Sequence, residues 1–183
     1  WRISALVPPV VQQTNSLDTS KFEAALDAIW SFNDRHRTEN RVVVDALEVA
    51  APTFKVIKAT IQRLPEKMMS FLEISDLANP EPMIDYISQV LVDKRIYAKV
   101  RTGGVTANLS PPPSDVARFI AACAKHDVGF KATAGLHHPV RGNYRLTYQD
   151  DAPESTLFGF LNVFYATMIA FEHGVSEDVL VEI

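Results

Sequence analysis

Residues 95–139 read RIYAKVRTGGVTANLSPPPSDVARFIAACAKHDVGFKATAGLHHP: a strand-length apolar run, a helix-length amphipathic segment, then a second strand-length run. RIYAKVR (95–101) and VGFKATA (128–134) are short and carry the Val, Ile and aromatic residues that suit a pleated surface. Between them PPSDVARFIAACAKHD sets Val116, Phe119, Ile120 and Cys123 at helical spacing behind Ser114. Strand, helix, strand in that order is the repeating unit of a parallel sheet covered by helices.

The alternation extends upstream. RISALV (2–7), RVVVDALEV (41–49) and MSFLEIS (69–75) read as strands. SLDTSKFEAALDAIWSFNDRH reads as a helix on Phe22, Leu26, Ile29 and Phe32, with capping residues at Asp18 to Ser20. TFKVIKATIQRL starts on the cap candidate Thr53, EPMIDYISQVLVDK carries Met83, Ile84, Ile87 and Leu91, and a last helix over about 157–173 ends at Gly174. SEDVLVEI is a frayed end or the start of a further helix. Leu136 to Thr156 is a connection of roughly twenty residues, long for this class, and is expected to hold a hairpin around NYRLTY (143–148).

The fold class expected is therefore α/β, with successive β/α units around a parallel sheet forming part of a TIM (β/α) barrel; the alternative is an open doubly wound sheet. No linker divides the chain, so 1–183 is read as a single domain. Five units cannot close an eight-stranded barrel, and the chain starts on Trp1 rather than Met, so a fragment of a larger barrel protein is expected.

Composition narrows the function classes. With 47% hydrophobic residues, 22% charged and a net charge of -4 over 183 residues, the chain is an ordinary globular protein without the basic footprint of a nucleic-acid binder. The one cysteine, Cys123, excludes a disulfide framework and is expected as an inert buried thiol. The longest apolar run, FGFLNVFYATMIAF (158–171), is short of the ~18 residues that a membrane span needs. No membrane partner is expected, and the location expected is cytoplasmic. Phe158, Leu161, Phe164, Tyr165 and Phe171 in that run read as a core stripe, with an interface as the alternative.

Along a strand, residues two apart share a face. Phe71, Glu73 and Ser75 oppose Leu72 and Ile74; Tyr97, Lys99 and Arg101 oppose Ala98 and Val100; Lys131 and Thr133 oppose Phe130 and Ala132. Three successive strands thus have one apolar face and one that turns polar toward the C-terminal end, which is where α/β active sites sit. Asp45 and Glu48 differ in parity, so only one of them belongs with this cluster. A purely structural reading pairs Glu73 with Lys99 or Arg101 to fix register. Buried ion pairs stabilise less than apolar packing, so the concentration of charge argues for use.

A lysine becomes a nucleophile when burial or a second cation disfavours its ammonium form. Lys99 and Lys131, on adjacent strands, are expected to lower one another's pKa. The neutral amine would attack a carbonyl to give an imine, with Glu73 or Asp45 moving protons.

YAKVRTGGVTANLSPPPSDVARFIAACAKHDVGFKATAGLHH is similar to the final third of deoxyribose-phosphate aldolases. That family carries Lys-Thr-Ser-Thr-Gly on one barrel strand and Lys-Ala-Ser-Gly-Gly on the next. The counterparts here are Lys99-Val100-Arg101-Thr102-Gly103 and Lys131-Ala132-Thr133-Ala134-Gly135, and FLEIS resembles the family's preceding strand; together the resemblance spans about residues 69–138. It implies a class I aldolase-type lyase, with Lys99 as the Schiff-base lysine, Lys131 as its pKa-lowering partner and Asp45 as a proton relay. Arg101, Thr102, Gly103, Gly104, Thr133, His137, His138 and Arg141 are the candidate substrate-binding residues, the Gly103-Gly104 amides being suited to an anion. No cofactor and no resident metal is expected. The combination KxRTGG with FKATAGLHHP also resembles bacterial conserved proteins without assigned activity.

Two other classes compete. A metal-dependent enzyme would use His137 or His138 with Glu48 or Glu73, although adjacent histidines do not make the i, i+4 pair of a helical zinc site. A non-catalytic chain would use the apolar stripe to bind other subunits. Arg141, Tyr144 and Arg145 in the long connection either bind an acidic substrate or are solvated loop charges. The partners expected are a small molecule, an anionic one included, and further copies of the chain.

Overall fold

In the computed structural model β1 (Arg2–Val7) is followed by a small ribbon, β2 (Val11–Gln12) with β3 (Leu17–Asp18), and then by α1 (Ser20–His36). Three β/α units succeed it: β4 (Val43–Ala51) with α2 (Phe54–Arg63), β5 (Met69–Ile74) with α3 (Glu81–Val90), and β6 (Ile96–Arg101), a 3₁₀ turn over Ala107–Leu109 and α4 (Pro113–Lys125). After β7 (Phe130–Thr133) come the ribbon strands β8 (Gly142–Arg145) and β9 (Glu154–Leu157), α5 (Phe160–His173) and α6 (Glu177–Val181). The described residues are 1–13, 16–38, 41–91, 94–147 and 149–183. Val92 and Asp93 of the expected third helix and Tyr148 of the expected hairpin lie outside them.

The main sheet has the order β1-β4-β5-β6-β7, every neighbour parallel, and it curls into a half-barrel. A doubly wound sheet would need its strand order to reverse at a switch point. This order never reverses: each crossover sends the next strand to the same side. The helices that connect the strands, α1 to α4, therefore cover one face, and α5 and α6 pack on α4. That face is apolar: Leu47, Leu72, Ala98 and Val100 are wholly buried against helix residues such as Phe22, Ile57, Ile84 and Phe119. Each large side chain so buried contributes about 1.5–3 kcal/mol.

The five expected strands all form, with ends shifted by one or two residues. Thr53 caps α2 by accepting from the Val56 amide, and Gly174 ends α5 in the left-handed conformation (φ 59°). The hairpin forms as well, with NYR in its first strand and residues 154–157 as its second. SEDVLVEI becomes α6, anchored by buried Leu180.

The first helix starts at Ser20 and the last at Phe160, later than the sequence suggests, and two larger departures follow. First, the β1/β4 register slips between Ile3, opposite Val44, and Ser4, opposite Ala46, so that Asp45 is the extra residue of a bulge. The Asn33 side chain of α1 closes on this point, accepting from the Val44 amide (2.8 Å) and donating to its carbonyl (2.7 Å). Second, of the expected apolar stripe only Phe158, ahead of α5, packs against the core. Val163, Ala166 and Ala170 face inward, while Leu161, Phe164, Tyr165, Met168 and Phe171 are exposed. Small residues let α5 sit close to the body of the protein, and the bulky ones are left outside.

Candidate functional site

Parallel register carries the strand pattern into space. Glu48 lies beside Phe71, Phe71 beside Tyr97, Glu73 beside Lys99, Lys99 beside Lys131, and Arg101 beside Thr133. All are on the face away from the helices, with Glu73, Lys99, Arg101 and Thr133 toward the C-terminal ends of their strands.

The charged groups converge on Glu48. Lys131 Nζ donates to its Oε1 (2.7 Å), and Lys99 Nζ pairs with its Oε2 (2.9 Å). Lys99 also pairs with Glu73 Oε2 (2.8 Å), and Arg101 Nε lies 3.5 Å from Glu73 Oε1. The Lys131 ammonium stands over the Phe71 ring, 5.4 Å from its centroid. Three cations against two carboxylates leave one positive charge. Lys99 and the two carboxylates are covered, and the cations nearest solvent are Lys131 and Arg101, with side chains 37% and 46% exposed against 5% for Lys99.

The electrostatics follow from this geometry. Burial alone would raise the Glu48 carboxyl, but hydrogen bonds from Lys131 and Lys99, with Ser4 adding to them, outweigh it and hold the group at about 2. Burial likewise disfavours the Lys99 ammonium, yet its bonds to Glu73 and Glu48 prevail and raise its pKa above the ordinary value. The expectation that the two lysines depress each other is thus not met at Lys99. Glu48 stands between them and compensates both.

Asp45, expected as a proton relay, is not in the cluster. As the bulge residue it pairs with Arg2, three residues nearer the start of β4 than Glu48. Glu48 is the carboxylate of this strand that joins the lysines.

Beyond the cluster, the ends of β6 and β7 are joined through Thr102. Its amide donates to the Thr133 carbonyl (2.9 Å), and its hydroxyl donates to Ala134 O (2.6 Å). Thr102 and Gly103 are buried, so the substrate contacts expected of them are replaced by this stitching. A Cβ on Gly103 would come within 2.9 Å of the Gly135 Cα, and the converse is equally true, so the two turns pack backbone on backbone. Ala134 (φ 65°) and Gly135 (φ 75°) both adopt left-handed conformations.

Gly104, Ala134 and Gly135 line a cavity of about 630 Å³ roofed by the β8–β9 ribbon. Arg101, His137, His138 and Arg145 bring it nitrogen donors, and Val105, Leu109, Leu146 and Leu157 an apolar wall. The His138 and Tyr144 rings stack at 3.5 Å between centroids and 7° between planes. Arg101 belongs to both the cavity and the charged cluster. Thr133 keeps its place on the cluster face, beside Arg101. Arg141 does not reach the cavity: its amide donates to Asn162 Oδ1 (2.7 Å), and it borders grooves with Pro113 and Phe158. The aliphatic wall was invisible to motif reading, because Val105, Leu109 and Leu146 carry no chemical signature in the sequence.

Cys123 is buried, and burial pushes its thiol pKa up, as an inert thiol requires. Among the described residues no three His, Cys, Asp or Glu side chains gather as a metal-ligand set, since Glu48 and Glu73 are engaged by lysines and the two histidines border the cavity. No helix among the described residues is long and apolar enough to cross a membrane. Comparison with protein-family models, curated proteins and solved structures returns no match.

Proposed function

We propose that the chain is the site-bearing part of a β/α-barrel enzyme, a class I aldolase-type lyase of the cytoplasm acting on a small anionic carbonyl compound. The observation that carries this reading is the convergence of two lysines from adjacent strands on one covered carboxylate, Glu48, in a cluster of net positive charge. An anion is drawn to the exposed cations, where Arg101 offers a fork suited to a carboxylate or phosphate.

Access and pairing support Lys131, rather than Lys99, as the reacting amine. Lys99 is enclosed and held by two carboxylates, whereas Lys131 is open to solvent and held by one. Once deprotonated, the Lys131 nitrogen adds to the carbonyl carbon, and the carbonyl oxygen leaves as water. The resulting iminium carries the same single positive charge as the ammonium it replaces, so the pairing with Glu48 survives the reaction. The iminium then accepts, as an enamine, the electron pair of the bond between its α and β carbons as that bond breaks, and the β-carbon departs as a carbonyl compound when its hydroxyl gives up a proton. Glu48, held at about 2, stays a carboxylate throughout and orients both lysines. Glu73, linked to the cavity through Arg101, is the carboxylate placed to relay protons.

Borohydride reduction in the presence of a small aldehyde, followed by peptide mass mapping, tests the assignment. The adduct is expected on Lys131 and lost in Lys131→Met. An adduct on Lys99 instead would restore the roles that the aldolase resemblance implies, and no lysine adduct at all would end the imine reading.

A further inference from the structure

We infer that the cavity under the β8–β9 ribbon binds the apolar body of the substrate, and that the substrate is an aryl-substituted 2-oxo acid. The inference rests on the lysine reading above and adds the class of molecule. At about 630 Å³ the cavity is in the ~300–1,000 Å³ range of small-molecule sites and is far larger than a three-carbon unit requires.

Its lining is divided. Val105 and Leu109 are 69% and 39% exposed, an apolar wall left facing water that gains when a hydrocarbon surface covers it. Opposite chemistry comes from Arg101 and Arg145, and no Asp or Glu is among the described lining residues. Each guanidinium is held only loosely, at 3.5 Å from Glu73 and Asp150 respectively, which leaves donors for a ligand anion. The stacked His138–Tyr144 pair adds a flat π surface.

The positions of these features assign the three groups around one carbonyl carbon. Arg101 and Lys131 are diagonal neighbours on one face, a strand and two residues apart, and Arg101 alone is shared with the cavity. A carboxylate on Arg101 and the carbonyl carbon it adjoins at Lys131 fit the two side by side, and the remaining substituent of that carbon is the one left to enter the cavity that Arg101 borders. A carboxylate adjoining a carbonyl and carrying a flat apolar substituent is an aryl 2-oxo acid.

The test titrates phenylpyruvate, pyruvate and the carbonyl-free 3-phenylpropionate by calorimetry, alongside borohydride trapping of the two oxo acids. Phenylpyruvate is expected to trap on Lys131 at a concentration at least tenfold below that for pyruvate, with 3-phenylpropionate competing. Val105→Trp, which fills the cavity from an exposed position, is expected to weaken phenylpyruvate at least tenfold, and Arg145→Gln to weaken it severalfold should the tryptophan variant fail to fold. Equal concentrations for the two oxo acids would overturn the aryl assignment while leaving the lysine reading in place. Binding of 3-phenylpropionate, abolished by Val105→Trp, without a lysine adduct from any oxo acid would uphold the cavity's preference for aryl carboxylates and overturn the lysine chemistry.

Discussion

Ala134 holds a left-handed backbone (φ 65°) where a glycine would sit without strain. That conformation costs an ordinary residue about 1–2 kcal/mol, offset in a glycine variant by the ~0.4–1 kcal/mol of extra chain entropy in the unfolded state. Ala134→Gly is therefore expected to stabilise the protein by about 0.5–1 kcal/mol in urea unfolding. A loss of stability would mean that the methyl group packs to better effect than the backbone strains. The same residue shows the limit of reading a sequence by type: alanine gives no warning of positive φ, whereas Gly135 beside it does.

At the scale of elements, alternation along β4 determines which acid joins the site. Period-two parity made Asp45 and Glu48 mutually exclusive, and that much was legible. Which of the two follows from Leu47 and Val49, the core-facing neighbours of Glu48, while the bulge residue Asp45 turns to Arg2. Asn33 secures this point with two hydrogen bonds to Val44. At about 1 kcal/mol for each bond, Asn33→Ala is expected to cost about 2 kcal/mol. The loss should appear in urea melts, and hydrogen exchange should quicken at the Val44 amide above all. Unchanged protection there would show that the ladder holds the bulge unaided. Helix α5 teaches a similar lesson. A segment apolar on every side does not say which side turns inward, and here size decided it, with Val163, Ala166 and Ala170 against the body of the protein.

For the molecule as a whole, the parallel sheet was readable because five short apolar runs alternate with amphipathic helices, and the polar strand ends because the same alternation sets every second side chain on one face. The cavity was not, since it arises where a ribbon near residue 145 folds back over turns forty residues earlier. Whole-molecule stability against pH should report the buried charge. A carboxyl lowered from 4.5 to about 2 contributes fully above about 4.5, and that contribution is lost as pH falls toward 2. A lysine raised above 10.5 contributes fully below 10.5 and loses its contribution as pH climbs through the raised value. The cluster should thus give a flat plateau between about 4.5 and 10.5, with Glu48→Gln lowering the plateau and flattening its acid limb in thermal melts. An unaltered acid limb would place the acid sensitivity elsewhere.

The backbone-to-backbone seating of Gly103 on Gly135, locked by the Thr102 hydroxyl, has a mechanical meaning. Two chain segments in direct contact, without side chains between them, have no compressible layer, so the cavity floor behaves as a fixed template. For the substrate proposed above, accommodation of different girths would then fall to the β8–β9 roof, with selection at the floor by rigid shape.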